Sequence, residues 1–235
     1  MTNAVLVLLA AVGAAAAGTP VAPPSAPAAA TPPAPADDLV DVTRLEPRFI
    51  LDIRYATTDN FTGQRLYPVA RCLLRAPVAA QLVAAQRWLD AHHPGAVLML
   101  KDCYRPAHIQ KRMWEAVQGT KKALYVASPD KKIGSVHNYG AAVDVTLAEG
   151  GQELDLGTPY DYFGTLAELR HEDRYLAEGK LTVAQVERRR LLRAAMVEGG
   201  GFKTIISEWW HFDALQGGEL ARRYRKLDVP LEAVP

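Results

Sequence analysis

The distribution of charge along the chain divides it into two parts. Residues 1–36 contain no Lys, Arg, Asp or Glu, so all 27 basic and 26 acidic residues lie in residues 37–235. Residues 4–17 form an apolar run that is shorter than the roughly 20 residues needed to cross a bilayer but typical of a secretory signal. Residues 18–36 are rich in Ala and hold seven of the sixteen prolines, which is typical of an extended, disordered linker.

These patterns predict a signal peptide at residues 1–17, a Pro/Ala-rich disordered linker at 18–36 and one folded domain at 37–235. The alternative for the first segment is a disordered Ala-rich tail. No cysteine lies directly after the apolar run, within residues 18–36, so a lipid anchor is not supported and we expect no stable membrane anchor. The sequence therefore predicts export of the domain, to the periplasm.

Basic and acidic side chains are nearly balanced, with a formal net charge of +1. No cluster of basic residues indicates binding to nucleic acid, and we expect a small or uncharged partner. The two cysteines, Cys72 and Cys103, are too few for a disulfide scaffold and too far apart for a CxxC site. In an oxidising compartment they could form a disulfide, and the alternative is two buried thiols. Any metal must therefore be held by histidines and carboxylates.

Apolar residues at helical spacing, with start and stop signals, predict helices at 77–92, 106–118 and 183–198. Thr182 and Gln185 form a predicted capping box at the start of the third. Short apolar runs predict strands at 96–100, 142–147 and 202–206. Helices and strands are interspersed without regular βαβ spacing, which favours a single α+β domain with a central antiparallel sheet flanked by helices. The three arginines at 188–190 are expected on the solvent side of their helix.

Two short segments place imidazoles and carboxylates at spacings suited to a shared metal. In the first, Gly140 permits a tight turn between His137 and Asp144, so that the two side chains can converge. In the second, Glu208 and His211 can reach one centre only if a strand ends or bulges between them. Two imidazoles and one carboxylate leave a fourth position open, which is typical of catalytic zinc. Either segment alone is weak evidence, because a surface His beside a solvated Asp is the common alternative.

The remaining carboxylate, that of Glu208, suits a general base. Bound Zn²⁺ brings the pKa of water from ~15.7 toward ~7, and a carboxylate within hydrogen-bond reach can take the proton and deliver it to a leaving amine. The pattern therefore predicts hydrolysis of an amide. Arg105 precedes Pro106 at a predicted strand-to-helix junction and is the candidate for stabilising the oxyanion. Its alternative role is a surface ion pair with Asp102.

Three motifs together resemble the zinc D-alanyl-D-alanine dipeptidases, the VanX-like branch of the LAS metallopeptidases. This superfamily also includes D,D-carboxypeptidases and the hedgehog signalling domain. The motifs are Ser-x-His-x-x-Gly-x-Ala-x-Asp at 135–144, Glu-Trp-Trp-His at 208–211 and Asp-Cys-Tyr-Arg-Pro at 102–106. Segments 52–63 and 156–161 are similar to parts of the dipeptidases in particular. The resemblance covers most of the chain after about residue 40.

The resemblance implies a fold of the hedgehog and D,D-peptidase type that binds one zinc ion per subunit. By position it implies that the zinc ligands are His137, Asp144 and His211. It also implies that Glu208 is the general base and that Arg105 stabilises the tetrahedral intermediate. The implied substrate-binding residues are Asp161 and Ser135. Cys103 departs from the pattern, since a glycine is common before Tyr-Arg-Pro. The export signal departs as well, because the antibiotic-resistance members are cytoplasmic, and this leaves the physiological role open.

A free dipeptide carries an ammonium group one residue from the scissile bond, and Asp161 is expected to bind it. An enzyme that relies on this contact rejects blocked substrates strongly. We therefore predict hydrolysis of D-alanyl-D-alanine to two D-alanines. Two alternatives remain: a D,D-carboxypeptidase acting on peptidoglycan stem peptides, and a zinc-stabilised binding module without catalysis. The alternative for Asp161 is a loop residue that caps the segment of Phe163.

Overall fold

The computed structural model describes residue 1 and residues 39–235. The predicted signal peptide, apart from Met1, and the predicted linker lie outside the described residues. No helix within the described part of the chain is long and apolar enough to span a membrane.

The described residues form five α-helices, of which the three longest lie at the predicted spans and the two shortest were not expected. They are α1 Ala76–His92, α2 Ala107–Val117, α3 Glu172–Ala177, α4 Val183–Ala194 and α5 Gly217–Arg223. The predicted capping box is present at α4, because the Thr182 side chain accepts from the Gln185 backbone and the Gln185 side chain accepts from Thr182 N–H. A π-helical turn, Ala195–Gly199, continues α4.

The strands of the described residues are β1 Leu39–Asp41, β2 Ile50–Leu51, β3 Leu73–Arg75, β4 Ala96–Asp102, β5 Ala142–Glu149, β6 Gln152–Glu153, β7 Lys203–Thr204 and β8 His211–Asp213. β1 and β3 form an antiparallel pair of their own. The central sheet has the order β2-β4-β5-β8-β7, and β6 pairs with β5. Only β2 runs parallel to its neighbour, β4, whereas the other pairs are antiparallel.

The structure confirms the predicted α+β fold and differs from the sequence expectation in detail. The strand expected at 202–206 is wrong in extent, since only Lys203–Thr204 pairs with β8. The parallel edge strand Ile50–Leu51 was not expected, because two residues carry no periodicity. The expectation for the arginine run is wrong at Arg189, whose side chain is fully buried. Successive helical residues differ in direction by about 100°, so three neighbours cannot all share one solvent face.

The first long helix packs against the central sheet and against the end of α4. Leu82 and Leu89 of α1 are fully buried, and α1 contacts both β4 and the π-helical turn. The approach at the turn is close, because a Cβ on Gly199 would lie 2.4 Å from the Cβ of Trp88. A glycine at this position therefore permits the contact between the two helices.

A disulfide between Cys72 and Cys103 fastens the residue before β3 to the residue after β4, with a Cα–Cα distance of 5.2 Å. Both cysteines are buried. Of the two states that the sequence left open, the structure contains the bonded one. The link lies next to Asp102 and Arg105, so it fixes the backbone at one edge of the site described below.

Candidate active site

The pairing of β5 with β8 places Asp144 directly opposite His211. Side chains in such a cross-strand pair lie close together on one face of the sheet. β8 begins at His211, while Glu208 and the two tryptophans after it precede the strand in a bend. The chain therefore turns between Glu208 and His211. The strand does not extend through both residues, as the sequence analysis required if both side chains are to face one centre.

His137 reaches the same place from a short helical turn, Val136–Tyr139, that ends at Gly140. Gly140 has a left-handed φ of +67°, and a Cβ there would lie 2.8 Å from a methyl group of Leu39. Both its conformation and its surroundings therefore require glycine. From this turn the chain enters β5, which carries Asp144 back toward the imidazole.

Each imidazole is oriented by a hydrogen bond from the nitrogen that faces away from the centre. His137 donates from Nδ1 to the Cys103 carbonyl oxygen at 2.7 Å. His211 donates from Nε2 to Asp213 Oδ1 at 2.8 Å. These bonds leave His137 Nε2 and His211 Nδ1 facing the centre, where each nitrogen would offer its lone pair to a bound metal ion. Metal-binding histidines commonly have such a carbonyl or carboxylate partner.

These two nitrogens and Asp144 Oδ1 form a compact triangle. The separations are 3.2 Å between His137 Nε2 and His211 Nδ1, 3.3 Å between His137 Nε2 and the oxygen, and 2.9 Å between His211 Nδ1 and the oxygen. Ligands at zinc bond lengths in a tetrahedron lie about 3.3 Å apart. The three residues therefore fit a single zinc ion in both donor type and spacing.

Electrostatics at the triangle also favour a cation. Burial alone would raise the pKa of Asp144, but the neighbouring imidazoles outweigh it and hold that pKa well below its usual range. Burial opposes protonation of His211, yet the carboxylates of Asp144 and Asp213 raise its pKa well above the usual value. Tyr160 donates to the second oxygen of Asp144 at 2.8 Å. The carboxylate is therefore ionised and held in one orientation.

Glu208 lines the cavity into which the triangle opens. Burial raises its pKa to about 7, although the positive groups His211, His137 and Arg105 act in the opposite direction. The bend that carries it is fixed by the buried indoles that follow: Trp209 Nε1 donates to Thr158 Oγ1 at 2.7 Å, and the Trp210 ring packs edge-on against Tyr160. A carboxylate with a pKa near neutrality is suited to proton transfer.

Arg105 is buried and held in place by hydrogen bonds. Its Nε and Nη2 donate to Asp102 Oδ2 at 2.9 and 2.6 Å, and its Nη1 donates to Gln110 Oε1 at 2.7 Å. The ion pair with Asp102 that the sequence allowed is thus present, but it is buried at the edge of the cavity. Nη2 also lies 3.9 Å from Asp144 Oδ2. Because a guanidinium has five N–H donors, two remain available for a substrate oxygen.

Asp161 also lines the cavity and lies in a loop with strained backbone. It is the one described residue other than glycine with a positive φ, +59°, which is uncommon and often associated with function. Tyr55 donates to both of its carboxylate oxygens, at 3.1 and 2.9 Å. Burial, followed by the charge of Asp144, raises the pKa of Asp161 well above its usual value. A cation bound here would favour the ionised form.

The structure thus brings every candidate residue from the sequence to one cavity of about 230 Å³. Ser135, the remaining candidate, is buried and also lines it. Four carboxylates line the cavity, those of Asp144, Asp161, Glu208 and Asp213. Among the described lining residues Arg105 is the only permanently charged cation. The excess of negative charge suits the binding of a metal cation and a substrate ammonium group.

Sequence reasoning missed several residues that hold these groups in place: Tyr55, Tyr160, Gln110 and Asp213. One of them had a readable signal, because Asp213 lies two residues after His211 and alternate strand residues share a face. The contacts of Tyr55 and Tyr160 join distant loops, and no local spacing indicates them.

Comparison with known proteins agrees with this geometry. The sequence profile of the M15 peptidases described as D-ala-D-ala dipeptidase matches residues 35–230. The D-alanyl-D-alanine dipeptidase of Escherichia coli (strain K12) is 36% identical over 180 residues, which cover 76% of this chain and 86% of that protein. The D-alanyl-D-alanine dipeptidases of Enterococcus faecalis (strain ATCC 700802 / V583) and Enterococcus faecium are 30% and 29% identical, each over 68% of this chain and 83% of the relative. The chain therefore belongs to the D-Ala-D-Ala dipeptidase family of peptidases.

Proposed function

We propose that this protein hydrolyses free D-alanyl-D-alanine to two D-alanines, with one zinc ion held by His137, Asp144 and His211. The observation that carries the proposal is the common cavity. The candidate ligand triangle, Glu208 and the Tyr55-bound Asp161 all line it. A single cavity that holds both a proton-transfer group and an ammonium-binding carboxylate matches the two demands of a dipeptide, whose scissile bond lies close to its ammonium group.

The chain's own residues carry the proton transfers. Zinc bound at the triangle would supply Lewis acidity and lower the pKa of water. Glu208 accepts the proton of the water that attacks the scissile carbonyl, and then delivers this proton to the leaving amine. Its raised pKa helps both steps, because the carboxylate is a stronger base than an exposed one and the carboxylic acid is still able to donate near neutral pH.

Arg105 stabilises the charge that develops on the carbonyl oxygen. Its guanidinium is already fixed by Asp102 and Gln110, so little reorganisation is needed when the tetrahedral intermediate forms. Preorganised donors of this kind contribute about 3–4 kcal/mol to the activation free energy. Ser135 lines the same cavity and is the second candidate contact to the substrate.

Asp161 selects substrates with a free amino group. An ammonium bound to it forms a charged hydrogen bond inside a buried cavity, where such contacts are strong. An N-acylated peptide presents a neutral amide instead and leaves the carboxylate without a cation, which costs binding free energy. This argument favours the dipeptidase over the D,D-carboxypeptidase.

We further propose that the domain acts after export, in the periplasm. The apolar segment at 4–17 is the sequence feature behind this proposal, and the Cys72–Cys103 disulfide supports it, because structural disulfides persist in oxidising compartments.

The test compares two substrates with zinc-loaded protein: free D-alanyl-D-alanine and an N-acetylated tripeptide that ends in it. We expect release of D-alanine from the free dipeptide with a kcat/KM at least about 100-fold higher. Preference for the acylated substrate would overturn the dipeptidase proposal in favour of the carboxypeptidase. A protein that binds zinc but cleaves neither substrate would indicate a binding module.

A further inference from the structure

A second, larger cavity lies beside the one described above and shares lining residues with it. The second cavity has a volume of about 570 Å³. Three residues line both cavities: Phe61, Asp161 and Phe163. The ammonium-binding carboxylate therefore lies where the two cavities adjoin, with an aromatic ring from each of two loops beside it. We call Phe61 and Phe163 the aromatic wall.

Packing between rings holds the aromatic wall together. The rings of Phe61 and Phe163 meet edge to face with their centroids 5.2 Å apart. Phe61 also packs against Tyr55 at 6.0 Å, and Phe163 against Tyr125 at 5.6 Å. The wall thus joins the loop after Tyr55, the loop that carries Asp161 and the loop that carries Tyr125. Both wall residues are half-buried, so they separate two spaces rather than fill the core.

The position of the wall decides where a longer substrate would have to go. A dipeptide places its amino nitrogen at Asp161, and any acyl group on that nitrogen extends away from the scissile bond. Because Asp161 and the aromatic wall line both cavities, an acyl group that extends past Asp161 would meet the wall before it reached the second cavity. That cavity is lined by charged groups of both signs, among them Arg54, Asp59 and Lys122, which suit a polar peptide chain.

We propose that the aromatic wall sets the length of the substrate. The second cavity is then a site for the acyl part of an N-acylated D,D-peptide that the wall separates from the catalytic cavity. The inference rests on the proposed dipeptidase function and extends it. Asp161 discriminates by charge, whereas the wall discriminates by volume. Removal of the rings joins the two cavities and leaves the carboxylate in place, so length selection is lost while the ligand triangle and Glu208 are untouched.

The experiment measures N-acetyl-D-Ala-D-Ala and free D-Ala-D-Ala with zinc-loaded Phe61→Ala, Phe163→Ala and the double variant. We expect the ratio of kcat/KM for the acylated over the free dipeptide to rise about tenfold or more in each single variant, and further in the double variant. Ile205→Ala is the matched control: Ile205 lines the catalytic cavity but not the second one, and it is not one of the rings that pack against the wall. It enlarges the site without joining the cavities, so its ratio should stay close to that of the wild type.

A binding measurement separates the wall from the chemistry. In a Glu208→Gln background, affinity for N-acetyl-D-Ala-D-Ala should rise by the same factor when either wall residue is truncated. Phe61→Leu and Phe163→Leu supply milder variants if a truncation prevents folding.

Wall variants that bind zinc yet gain neither turnover nor affinity for the acylated dipeptide overturn the proposal. A wild-type protein whose kcat/KM for N-acetyl-D-Ala-D-Ala already equals that for the free dipeptide overturns it as well. A wild type without turnover on the free dipeptide overturns the dipeptidase function instead, and the affinity comparison still decides on the wall.

Discussion

At the scale of single residues, the proposed mechanism makes the activity depend on the ionisation of Glu208. Burial raises its pKa to about 7, and the positive groups around it act to lower that value. A general base must be ionised to accept a proton, so the rate should increase as the pH rises through the pKa of Glu208 and fall as the pH drops below it. A bound cation shifts this limb of the pH profile to lower pH, because it favours the ionised form.

Glu208→Gln keeps the size of the side chain but removes the base. We expect kcat to fall by about 10²–10⁴-fold while one zinc ion per chain is retained, because the ligand triangle does not include this residue. Metal analysis and the pH dependence of kcat/KM check both points, since the acidic limb should be lost in the variant. Undiminished activity would remove Glu208 from the role of base.

The sequence could indicate the candidate reactive residues but not the groups that hold them. His137, Asp144 and His211 are indicated by their residue types and by glycine or strand context, which are local features. The hydrogen bond from Tyr160 to Asp144 joins two loops, and its formation depends on tertiary packing. Arg189 illustrates the opposite error, because a run of arginines suggests a solvated surface whereas helix geometry turns one of them inward.

At the scale of elements, that buried arginine connects α4 to the loop that carries Asp161. Arg189 Nε donates to the Leu156 carbonyl oxygen at 2.7 Å, and Nη1 donates to the Leu166 carbonyl oxygen at 3.0 Å. These two carbonyls flank the segment with Tyr160 and Asp161. Burial lowers the pKa of Arg189 to about 10, so the side chain remains charged at neutral pH. Arg189 therefore binds both ends of the loop that carries Asp161.

Arg189→Met should loosen this loop, because two buried carbonyl groups lose their donor. We expect a loss of about 2–4 kcal/mol in the free energy of unfolding and a rise in KM for the free dipeptide that exceeds the fall in kcat. Arg189→Lys, which can still donate, should recover part of both. Arg190→Met is the matched control, since Arg190 is exposed and forms a surface pair with Asp173, and should change stability by less than about 1 kcal/mol. Equal effects at positions 189 and 190 would contradict this role.

Prediction of the elements succeeded where the signal is local. α1 and α2 follow from helical spacing and their flanking prolines, and α4 from its capping box. β2 and β7 are two residues long, and their existence depends on partners far away in the chain. The pairing that matters most for the site, Asp144 opposite His211, is such a long-range contact. The sequence indicated both residues as candidate ligands but gave no sign that their strands pair.

At the scale of the whole molecule, the disulfide ties the outer β1–β3 pair to the central sheet. It closes a loop with a sequence separation of 31 residues between Cys72 and Cys103. The Cys103 carbonyl also accepts the hydrogen bond that orients His137. The link therefore supports global stability and the geometry of the candidate metal site together.

The double variant Cys72→Ala/Cys103→Ala should lose about 3–4 kcal/mol in the free energy of unfolding, as expected for a loop of this length. Zinc affinity should weaken as well. Denaturant unfolding and zinc titration measure the two effects, and a reducing agent should destabilise the wild type but not the variant. Identical unfolding curves for both proteins would show that the link contributes nothing.

The central claim is that one zinc ion at His137, Asp144 and His211 enables hydrolysis of the free dipeptide. Its most direct test is a zinc titration of the metal-free protein, with release of D-alanine from D-alanyl-D-alanine as the readout. We predict no turnover without metal, a linear rise that ends at one zinc per chain, and no rise in His211→Ala. Turnover by the metal-free protein, or full activation of the His211→Ala variant at one equivalent of zinc, would contradict the account.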